Sequence, residues 1–417
     1  MPVASTQSVL DELHARGLFD ECTDEEALRA RLAEGPLKLY CGFDPTASSL
    51  HVGHLQGLAV LRLFARFGHR PIALVGGFTG MVGDPSGKSA ERNLLGEEEL
   101  DRNRAGLYEQ MSRLLEGSEP IMADNRDWWL RISALELLRE IGKLVSVNDM
   151  LNRTSVRTRL ASDAGLSYTE FSYQILQAYD FVHLRKAEEC ELQVGGSDQY
   201  GNITAGTDMI RRRGLGRAFG LVWPLMTKAD GTKFGKTEGG SVWLDPERTS
   251  PYAFHQFWLN SADDDVRSLL LKFTQLSAED VDALMAEHEE NRGRRLPQAR
   301  LADELTSWVH GEEATEAANR ARAALFSGTL EERDLDVLDG EIPTFRFTRT
   351  ELAEKNTAGL LQATGLVSSY SEGRRTVESG GAYVNGERAE AELDAADATF
   401  LLLRRGRRNH ALVRIED

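Results

Sequence analysis

Short apolar runs alternate with longer stretches of helical periodicity through the first half of the chain. The runs that predict strands cover residues 37–43, 71–75, 121–123, 192–194 and 221–225. Strands of this length, separated by helical segments, are typical of a parallel sheet with helices on both faces. We therefore predict an α/β domain built on a doubly wound parallel sheet. Its ligands should bind at the carboxyl ends of the strands.

The pattern changes in the second half of the chain, where strand signals become rare. Residues 248–338 are helical and acidic, and they predict an α-helical domain after a first domain over residues 1–247. A linker is predicted at 339–349, followed by a small α+β domain at 350–417. Within it, Ser369 and Glu372 have the spacing of a helix capping box, and Asn385-Gly386 is typical of a hairpin turn.

The charge balance bears on possible nucleic-acid partners. Among the 417 residues, 49 are Lys or Arg and 66 are Asp or Glu, which gives a formal net charge of −17. Overall electrostatics therefore repel RNA, and any RNA binding must use local basic patches. A basic cluster is more often a solvated surface than a binding site. The candidate clusters are Arg153, Arg157 and Arg159; Arg211, Arg212 and Arg213; Arg374 and Arg375; and Arg404, Arg405, Arg407 and Arg408.

Cysteine content and apolar segment length exclude several other classes of protein. The only cysteines are Cys22, Cys41 and Cys190, and their spacing fits neither a metal site nor a disulfide framework. No segment approaches the roughly 20 consecutive apolar residues that a membrane span needs. The N-terminus has no basic start followed by an apolar run. We therefore expect a cytoplasmic protein with no bound metal and no membrane partner.

The segment 40–54 carries the first candidate chemistry, and it reads YCGFDPTASSLHVGH. An apolar strand runs into a turn and then into the start of a helix, with His51 and His54 three residues apart. The N-terminus of a helix offers unpaired N–H groups and a positive dipole end to an anion such as a phosphate. Taken alone, such a histidine pair is more often structural than catalytic.

A second candidate segment, residues 233–237, reads KFGKT and places Lys233 and Lys236 in a glycine-rich loop. An isolated lysine pair is usually solvated. Here the two segments occur in one chain, about 180 residues apart. In this combination they resemble the paired signatures of the class I aminoacyl-tRNA synthetases. The departures from the usual signatures are small, with Val52 in the first and Phe234, Gly235 and Thr237 in the second.

A third segment narrows the resemblance. Ser167 and Glu170 form a predicted capping box, and Tyr173, Gln177 and Asp180 then lie on one face of the helix. A polar stripe usually faces solvent, but the surrounding apolar residues indicate burial, and buried polar groups need partners. The segment 173–181, YQILQAYDF, resembles the tyrosine-binding helix of bacterial tyrosyl-tRNA synthetases. The loops at 76–88 and 194–203 also match this family in order.

The resemblance implies a two-step reaction on a Rossmann-like catalytic domain. ATP, as its Mg²⁺ complex, reacts with L-tyrosine to give tyrosyl-adenylate, and tyrosine is then transferred to tRNA(Tyr). The residues implied in charge stabilisation are Thr46, His51, His54, Lys233, Lys236 and Thr237. Those implied in ATP binding are Cys41, Gly42, Asp44, His51, His54, Asp198 and Lys236. Those implied in tyrosine binding are Tyr40 and Asp180 at the phenol, Asp84, Tyr173 and Gln177 at the ammonium group, and Gln199 near the carboxylate.

The resemblance also implies how the chain meets its larger partners. The helical domain would lie on the anticodon side of the tRNA. The C-terminal domain resembles the small RNA-binding domain shared with ribosomal protein S-four, with Arg374 and Arg375 placed to contact RNA phosphates. Members of this family are homodimers. Apolar residues at 145–151 and Tyr168 are candidates for the subunit contact, although such residues are more often core.

Three alternatives differ from this interpretation. Two are enzymes, the tryptophan-specific relative and a small nucleotidylyltransferase with the same histidine signature. Tyr40 and Asp180 oppose both, because they form a pair suited to a phenol. A nucleotidylyltransferase would also leave the last part of the chain without a role. The third alternative is a non-catalytic RNA-binding protein on a synthetase scaffold, which the intact signature lysines and histidines oppose.

Overall fold

The computed structural model describes residues 8–85, 96–161, 165–226, 236–237, 240–327, 335–339, 341–393, 395, 398–406 and 409–416; at 154, 155, 236 and 237 it describes the backbone alone. The chain divides into two compact units, Met1–Arg248 with Ser261–Leu301, and Thr249–Asn260 with Ala302–Asp417. Each unit is described by itself below. The division into segments 1–247, 248–338, 339–349 and 350–417 stays a prediction.

The first unit is built on the predicted parallel sheet. Its strands are β1 (Glu21–Cys22), β2 (Lys38–Phe43), β3 (Arg70–Val75), β4 (Ile121–Asp124), β5 (Leu192–Gly196) and β6 (Phe219–Trp223). They are ordered β1-β6-β5-β2-β3-β4, and all neighbours are parallel except the edge pair of β1 and β6. The doubly wound sheet that the sequence predicted is therefore confirmed.

Strands β2 and β5 are neighbours in this sheet and define its switch point. From β2 the chain adds β3 and β4 on one side, whereas β5 is followed by β6 on the other. Leu39 lies opposite Leu192 and Tyr40 opposite Gln193. In an open sheet of this kind, a crevice forms where the winding direction changes, beyond the carboxyl ends of the two central strands. The sequences that follow Phe43 and Gly196 therefore border the crevice.

Helices cover the sheet and continue through the second half of the chain. Up to residue 212 the α-helices are α1 (Val9–Ala15), α2 (Glu25–Ala33), α3 (Leu55–Arg66), α4 (Thr79–Val82), α5 (Glu97–Leu114), α6 (Arg126–Trp129), α7 (Ala134–Glu136), α8 (Val147–Leu151), α9 (Thr154–Leu160), α10 (Tyr168–Glu188) and α11 (Tyr200–Arg212). Later come α12 (Pro251–Leu259), α13 (Asp263–Phe273), α14 (Ala278–Glu290), α15 (Leu296–His310), α16 (Glu312–Ser327), α17 (Leu335–Leu338), α18 (Arg349–Ala353), α19 (Thr357–Ala363) and α20 (Tyr370–Glu378).

Shorter elements complete the first unit. There are 3₁₀ turns at Val52–His54, Gly142–Leu144, Ser197–Gln199 and Arg292–Arg294, a π turn at Leu137–Ile141, and a hairpin of β7 (Lys236–Thr237) and β8 (Gly240–Ser241). None of the helices in the described part of the chain combines the length and the apolar character that a membrane crossing requires.

Helix α10 is the central helix of the candidate site, and Ser167 caps its N-terminus by accepting a hydrogen bond from the N–H of Glu170. The side chain of Glu170 does not complete the predicted capping box. It is buried and accepts hydrogen bonds from both terminal nitrogens of Arg159, at 3.0 and 2.8 Å. The carboxylate therefore neutralises a buried cation, which needs a charged partner more than the helix end does.

The core between α10 and the sheet is apolar and closely packed. Phe181, Leu176 and Val182 from α10 pack with Ile72 and Leu74 of β3 in one buried cluster. Burial of these large side chains, worth about 1.5–3 kcal/mol each, fixes the rotation of α10 about its axis. The stripe of the same helix that lies between Leu176 and Phe181 carries Tyr173, Gln177 and Asp180, and it is thereby directed toward the crevice.

The second unit contains a five-stranded sheet. Its strands are β9 (Thr344–Thr348), β10 (Ala382–Val384), β11 (Glu387–Arg388), β12 (Phe400–Arg405) and β13 (Asn409–Glu416), in the order β11-β10-β12-β13-β9. Strand β9 lies inside the range predicted to be a linker, and it pairs in parallel with β13. The α+β character expected of the C-terminal part of the chain is confirmed.

Two local predictions in this unit have different outcomes. Asn385 and Gly386 have φ of 46° and 84° and join β10 to β11, as the Asn-Gly turn predicts. Ser369 caps α20, but the carboxylate of Glu372 bonds to Ser368, with 2.8 Å to its N–H and 2.6 Å to its hydroxyl. The capping partner of Glu372 is thus one residue earlier than the sequence pattern indicated.

Candidate active site

The crevice brings together side chains from β2, β5 and α10. Asp44, just after β2, accepts hydrogen bonds from the hydroxyl of Thr79 at 2.8 Å and from that of Tyr173 at 2.9 Å. Burial raises the pKa of Tyr173 well above its ordinary value, and the nearby carboxylates of Asp44 and Asp84 add to this effect. Tyr173 therefore keeps its proton and donates it to Asp44. Its oxygen lone pairs remain to accept from a cation.

Side-chain amides form a network beside Tyr173. Gln199 donates to Asp84 at 2.8 Å, and its own carbonyl oxygen accepts from Gln177 at 3.3 Å. Asn202 donates to the carbonyl oxygens of Gln177, at 3.0 Å, and of Gln199, at 3.2 Å. The carboxylate of Asp84, which is near enough to raise the pKa of Tyr173, and the carbonyl oxygen of Gln177, one turn along α10, are thus held in fixed positions. This set of acceptors matches an ammonium group.

At the other end of the same helix face, the carboxylate of Asp180 is almost completely buried, with 2% exposure. Its Oδ1 accepts from the indole nitrogens of Trp128, at 2.8 Å, and Trp129, at 2.7 Å. Its Oδ2 accepts from the amide of Asn125 at 3.0 Å. A carboxylate has about four acceptor positions, so Oδ2 retains one for a further donor.

Tyr40 lies in the same buried region. Its side chain is 1% exposed, and its hydroxyl has no hydrogen-bond partner in the described part of the chain. An unpaired buried hydroxyl costs about 1–3 kcal/mol, so such groups are rare unless a ligand satisfies them. A phenol is suited to this site, because its oxygen accepts from Tyr40 while its proton goes to Asp180.

Several residues of the site were not predicted from the sequence. They are Asn125, Trp128 and Trp129 around Asp180, Thr79 beside Asp44, and Asn202 in the amide network. The segment 123–129, ADNRDWW, carried a weak signal, because two adjacent tryptophans in a polar stretch after a strand need a partner for each indole N–H. Asn202 lies within the glycine-rich segment 194–203, where no sequence pattern distinguishes it from a loop residue.

Burial raises the pKa of Asp180 to about 7, against the lowering effect of the hydrogen bonds from Asn125, Trp129 and Trp128. Burial also raises the pKa of Tyr40 well above its ordinary value, so Tyr40 remains a donor. For Asp180 the folded state holds a proton that the unfolded chain has lost between about pH 4 and 7. The contribution to stability therefore falls as the pH rises through this window.

Tyrosine binding should depend on pH through Asp180. The ionised carboxylate accepts the phenol proton, so the dissociation constant for tyrosine should fall as the pH rises from 6 to 8, with the change centred near 7. Isothermal titration calorimetry at constant ionic strength measures this dependence. Phenylalanine, which has no phenol, serves as the control ligand and should lack the dependence. A dissociation constant for tyrosine that stays flat between pH 6 and 8 would contradict the role of Asp180.

Replacement of Tyr40 by phenylalanine should change stability and binding in opposite directions. The variant removes a buried hydroxyl that has no partner, so the free energy of unfolding without ligand should rise by up to about 1 kcal/mol. Loss of the bond to the substrate should raise KM for tyrosine by about 2- to 12-fold, which corresponds to 0.5–1.5 kcal/mol. Urea denaturation and exchange kinetics measure the two effects. A variant that is less stable and binds tyrosine normally would show that the hydroxyl has an internal partner.

His51 and His54 stack on each other with their ring centroids 3.9 Å apart. The Nδ1 of His51 accepts from the N–H of Gly53, and the Nδ1 of His54 accepts from the N–H of His51, both at 3.1 Å. In the neutral form each ring therefore carries its hydrogen on Nε2. Burial, and then the neighbouring His51, lower the pKa of His54 to about 3. His54 therefore acts as a neutral donor.

The backbone around these histidines differs from the expected first turn of an α-helix. Val52–His54 forms a 3₁₀ turn, and His51 is its N-cap in extended conformation. A glycine is needed at position 53 because a Cβ there would lie 2.8 Å from Cε1 of His51. The glycine thus makes room for the imidazole of His51.

The other residues predicted at the ATP site fall into two groups, those at the strand ends that border the crevice and those whose side chains are not described. Gly42, Thr46 and Asp198 are exposed at the ends of β2 and β5. Cys41 is buried, and burial raises the pKa of its thiol to about 12, so it stays protonated. Lys233 lies outside the described residues, and so do the side chains of Lys236 and Thr237. The backbone of Lys236 and Thr237 forms β7, which pairs with β8.

The arginines predicted to contact RNA are in different environments. Arg153 is bonded to Gly201 and, at 2.9 Å, to Thr204, whereas Arg157 is exposed. Arg211 and Arg212 both pair with Asp208. In the second unit, Arg375 is exposed, and Arg374 is exposed and pairs with Glu378 at 3.3 Å. RNA contact by these residues stays a prediction. The part of the chain that the structure describes contains no cluster of metal-binding side chains.

Comparison with known proteins identifies the family of this chain. The family model described as class I tRNA synthetases (W and Y) matches residues 32–327, and that of a tyrosine–tRNA ligase C-terminal domain matches residues 334–413. The chain is 49% identical to the tyrosine–tRNA ligase of Opitutus terrae, over 98% of this chain and 100% of that protein. It is also 49% identical to that of Anaeromyxobacter dehalogenans, with the same coverage.

Among solved structures, a C-terminally truncated mitochondrial tyrosyl-tRNA synthetase from Aspergillus nidulans is similar, with a TM-score of 0.71 and 30% identity. The match covers 78% of this chain and 95% of that one. The family models and relatives extend over nearly the whole sequence, and the first family model spans the segments 40–54 and 173–181. The chain belongs to the tyrosine–tRNA ligase family of class I tRNA synthetases.

Proposed function

We propose that this chain is an ATP-dependent tyrosine–tRNA ligase. It forms tyrosyl-adenylate and pyrophosphate from L-tyrosine and ATP, and then transfers tyrosine to the 3′ end of tRNA(Tyr). The observation that carries this proposal is the buried pair of Tyr40, whose hydroxyl is unpaired in the described structure, and Asp180, which retains an acceptor position. The names of the curated relatives support the same activity.

The substrate would lie along one face of α10. Its phenol accepts from Tyr40 and donates to Asp180, and its ammonium group meets Asp84, Tyr173 and Gln177. These residues are already linked to one another or to fixed neighbours by hydrogen bonds. Substrate binding therefore costs little further side-chain conformational entropy. In the free protein the amide of Gln199 bonds to Asp84 and to Asp198. It must release one of them to reach the substrate carboxylate.

The first step needs no protein nucleophile. A carboxylate oxygen of tyrosine attacks the α-phosphorus of ATP in line, and a new C–O–P linkage forms. The bond between the α-phosphorus and the oxygen that bridges the α- and β-phosphates breaks, and that oxygen leaves with pyrophosphate. The protein contributes by positioning and by stabilising charge on the phosphates. His51 and His54 supply Nε2–H donors, and Thr46, Lys233, Lys236 and Thr237 are proposed around the β- and γ-phosphates. Mg²⁺ enters as part of the ATP substrate.

ATP would occupy the crevice between the ends of β2 and β5. Cys41, Gly42, Asp44 and Asp198 lie at these strand ends, where the adenosine moiety is proposed to bind. Gly42 has no side chain and is exposed, so a ligand can approach the backbone there. Cys41, which remains a thiol, would act as a weak hydrogen-bond partner of the ribose.

Tryptophan fits this pocket less well than tyrosine. An indole could donate its N–H to Asp180, but it has no oxygen to accept from Tyr40, and the Tyr40 hydroxyl would stay buried and unpaired. The alternative of a non-catalytic RNA-binding protein on the same scaffold leaves the ordered network of Asp84, Gln177 and Gln199 without a use. The structure therefore supports both alternatives, a tryptophan-specific enzyme and a non-catalytic RNA-binding protein, less well than a tyrosine-specific enzyme.

Transfer to tRNA is the second part of the proposal. The tRNA-contacting residues proposed are Arg153, Arg157, Arg211, Arg212, Arg374 and Arg375. Because the net charge is −17, the contribution of these side chains must be local. Since ATP and tRNA meet in the cytoplasm of a bacterium, we propose that the enzyme acts there.

Charging of tRNA tests the complete proposal. The protein is mixed with a tRNA(Tyr) transcript, Mg²⁺–ATP and labelled tyrosine, and label in acid-insoluble RNA is followed with time. We expect label to accumulate with tRNA(Tyr) and to stay at background with a tRNA(Phe) transcript. Adenylate formation without any charging of tRNA(Tyr) would contradict the second step alone.

A homodimer is also part of the proposal. Exposed apolar side chains are concentrated in residues 130–168, namely Leu130, Leu135, Leu138, Val147, Leu151, Leu160 and Tyr168. Tyr168 is 75% exposed and Val147 is 59% exposed, so neither belongs to the core in this structure. A concentration of exposed apolar residues marks an interaction surface, and a second copy of the chain is the partner that the family resemblance implies.

The double replacement of Leu135 and Leu138 by aspartate should convert the dimer into a monomer. Both side chains are more than 60% exposed, so the change should leave the fold of the single chain intact while placing charges in the contact. Sedimentation velocity should show the wild-type protein near 93 kDa, about twice the 46.3 kDa chain mass, and the variant near one chain mass. The exposed Leu225, outside this segment, offers a control as Leu225→Asp. A monomeric wild-type protein would contradict the proposal.

A further inference from the structure

Trp243, which lies outside both signature segments, is directly opposite His51 in a short antiparallel pairing. The N–H of Val52 donates to the carbonyl of Val242 at 3.0 Å, and the N–H of Leu244 donates to that of Leu50 at 2.9 Å. The two bonds flank the pair, which is therefore a non-hydrogen-bonded pair, the kind in which facing side chains come closest. The backbone thus places the Trp243 side chain against the imidazole.

The two rings are in contact. Their centroids are 5.9 Å apart with an interplanar angle of 67°, an edge-to-face arrangement. His54 stacks on the same imidazole at 3.9 Å, and the N–H of Gly53 fixes its Nδ1. His51 is thus restrained by Trp243, His54 and Gly53 together. Of these three contacts, only the one to Trp243 comes from a distant part of the sequence.

Arg248 in turn holds Trp243. Its guanidinium carbon lies 3.4 Å from the centroid of the indole ring, within the range of a cation–π contact. Its Nη1 is 3.5 Å from the hydroxyl of Ser48, in the loop that leads to His51. The N–H of Arg248 bonds to the carbonyl of Asp245, so a turn folds the arginine back over the ring. The indole is therefore fixed between Arg248 and His51.

We propose that Trp243, clamped by Arg248, is a positioning residue that keeps the Nε2–H of His51 directed at the phosphates of ATP. This inference rests on the proposed function, because it assigns Trp243 a role through His51. Trp243 itself need not touch a substrate. Small displacements of a charge-stabilising group reduce the rate of the chemical step more than the binding of the other substrate. A defect in Trp243 should therefore appear in kcat and leave the tyrosine site unaffected.

A double-mutant cycle in ATP–pyrophosphate exchange tests the proposal. Trp243→Leu and Trp243→Phe are each measured in the wild-type protein and in a His51→Asn background. In the wild-type background, we expect Trp243→Leu to lower kcat about tenfold with KM for tyrosine changed less than twofold. The Trp243→Phe variant, which keeps an aromatic ring, should recover kcat to within about threefold. In the His51→Asn background, Trp243→Leu should change kcat less than twofold.

Arg248→Gln is the second variant, and it keeps the test decisive if Trp243→Leu fails to fold. Its side chain is exposed, so the fold should tolerate the change, and kcat should fall about threefold only when His51 is present. If the substitutions lowered kcat equally with and without His51, or if tyrosine binding were lost in parallel, the proposed role of Trp243 would be wrong. The proposed function of the protein would be unaffected. Absence of exchange by the wild-type protein would overturn the proposed function, and this inference with it.

Discussion

Replacement of Asp180 by asparagine is expected to lower kcat/KM for tyrosine in ATP–pyrophosphate exchange by about 10²–10³-fold, or 3–4 kcal/mol. The carboxylate accepts three hydrogen bonds, from Trp128, Trp129 and Asn125, and retains one position for the phenol. An amide in its place brings an NH₂ group toward buried donors. It therefore loses the acceptor for the substrate and leaves a donor unpaired.

The matched control for this variant is Asp127→Asn. Asp127 is exposed and adjacent to Trp128, so the substitution removes the same charge from a neighbouring position without touching the pocket. Its kcat/KM should stay within about twofold of wild type. If Asp180→Asn raised KM for ATP and left KM for tyrosine unchanged, the carboxylate would not be part of the phenol site.

Substitution of Lys236 by alanine is expected to lower kcat for adenylate formation by about 10²–10³-fold, while tRNA binding changes less than twofold. The backbone of Lys236 forms β7, which pairs with β8, and the residues that follow β8 pair with those around His51. The second signature is therefore connected to the first through a continuous paired backbone. One ammonium group among many contacts contributes little to the binding of a large polyanion.

Single-turnover formation of labelled tyrosyl-adenylate and filter binding of tRNA measure the two quantities separately. Lys186→Ala serves as the control, because Lys186 is an exposed lysine on α10. Its adenylate formation should match wild type. Equal losses of adenylate formation and tRNA binding in Lys236→Ala would indicate that the substitution disturbs the fold and that the assigned role is wrong.

The sheet and its switch point were accessible from sequence because they depend on local pattern. The apolar runs at 37–43 and 192–194 correspond to β2 and β5, and glycine-rich or turn sequences follow each of them. A parallel sheet buried on both faces needs continuous apolar strands, which periodicity reveals directly. The helical spacing likewise placed Tyr173, Gln177 and Asp180 on one face, and the family resemblance implied their role.

The environment of Asp180 was not accessible in this way. Its hydrogen-bond donors come from the end of β4 and from α6, which lie 51 to 55 residues earlier in the chain. Nothing in the local sequence shows that two indoles converge on one oxygen. Its pKa of about 7 depends on burial in the folded chain, which a single sequence does not reveal.

The hydrogen-bond partners of polar side chains were also difficult to predict from the sequence. The sequence assigned Glu170 and Glu372 to capping boxes, but Glu170 pairs with Arg159. Glu372 bonds to Ser368 and pairs with the distant Arg405 at 2.7 Å. A capping pattern identifies where a helix begins, and both helices begin there. It does not exclude a stronger partner that tertiary structure brings within reach.

ATP–pyrophosphate exchange with tyrosine, phenylalanine and tryptophan, measured side by side, tests the central claim most directly. It isolates adenylate formation at the Tyr40 and Asp180 pocket from any requirement for tRNA. We expect exchange with tyrosine and a kcat/KM about 10⁴–10⁵-fold lower with phenylalanine, a magnitude that is the one known for tyrosyl-tRNA synthetases themselves and is not calculated from these distances. Comparable exchange with phenylalanine or tryptophan, or none with any of the three in the folded protein with Mg²⁺, would contradict the claim.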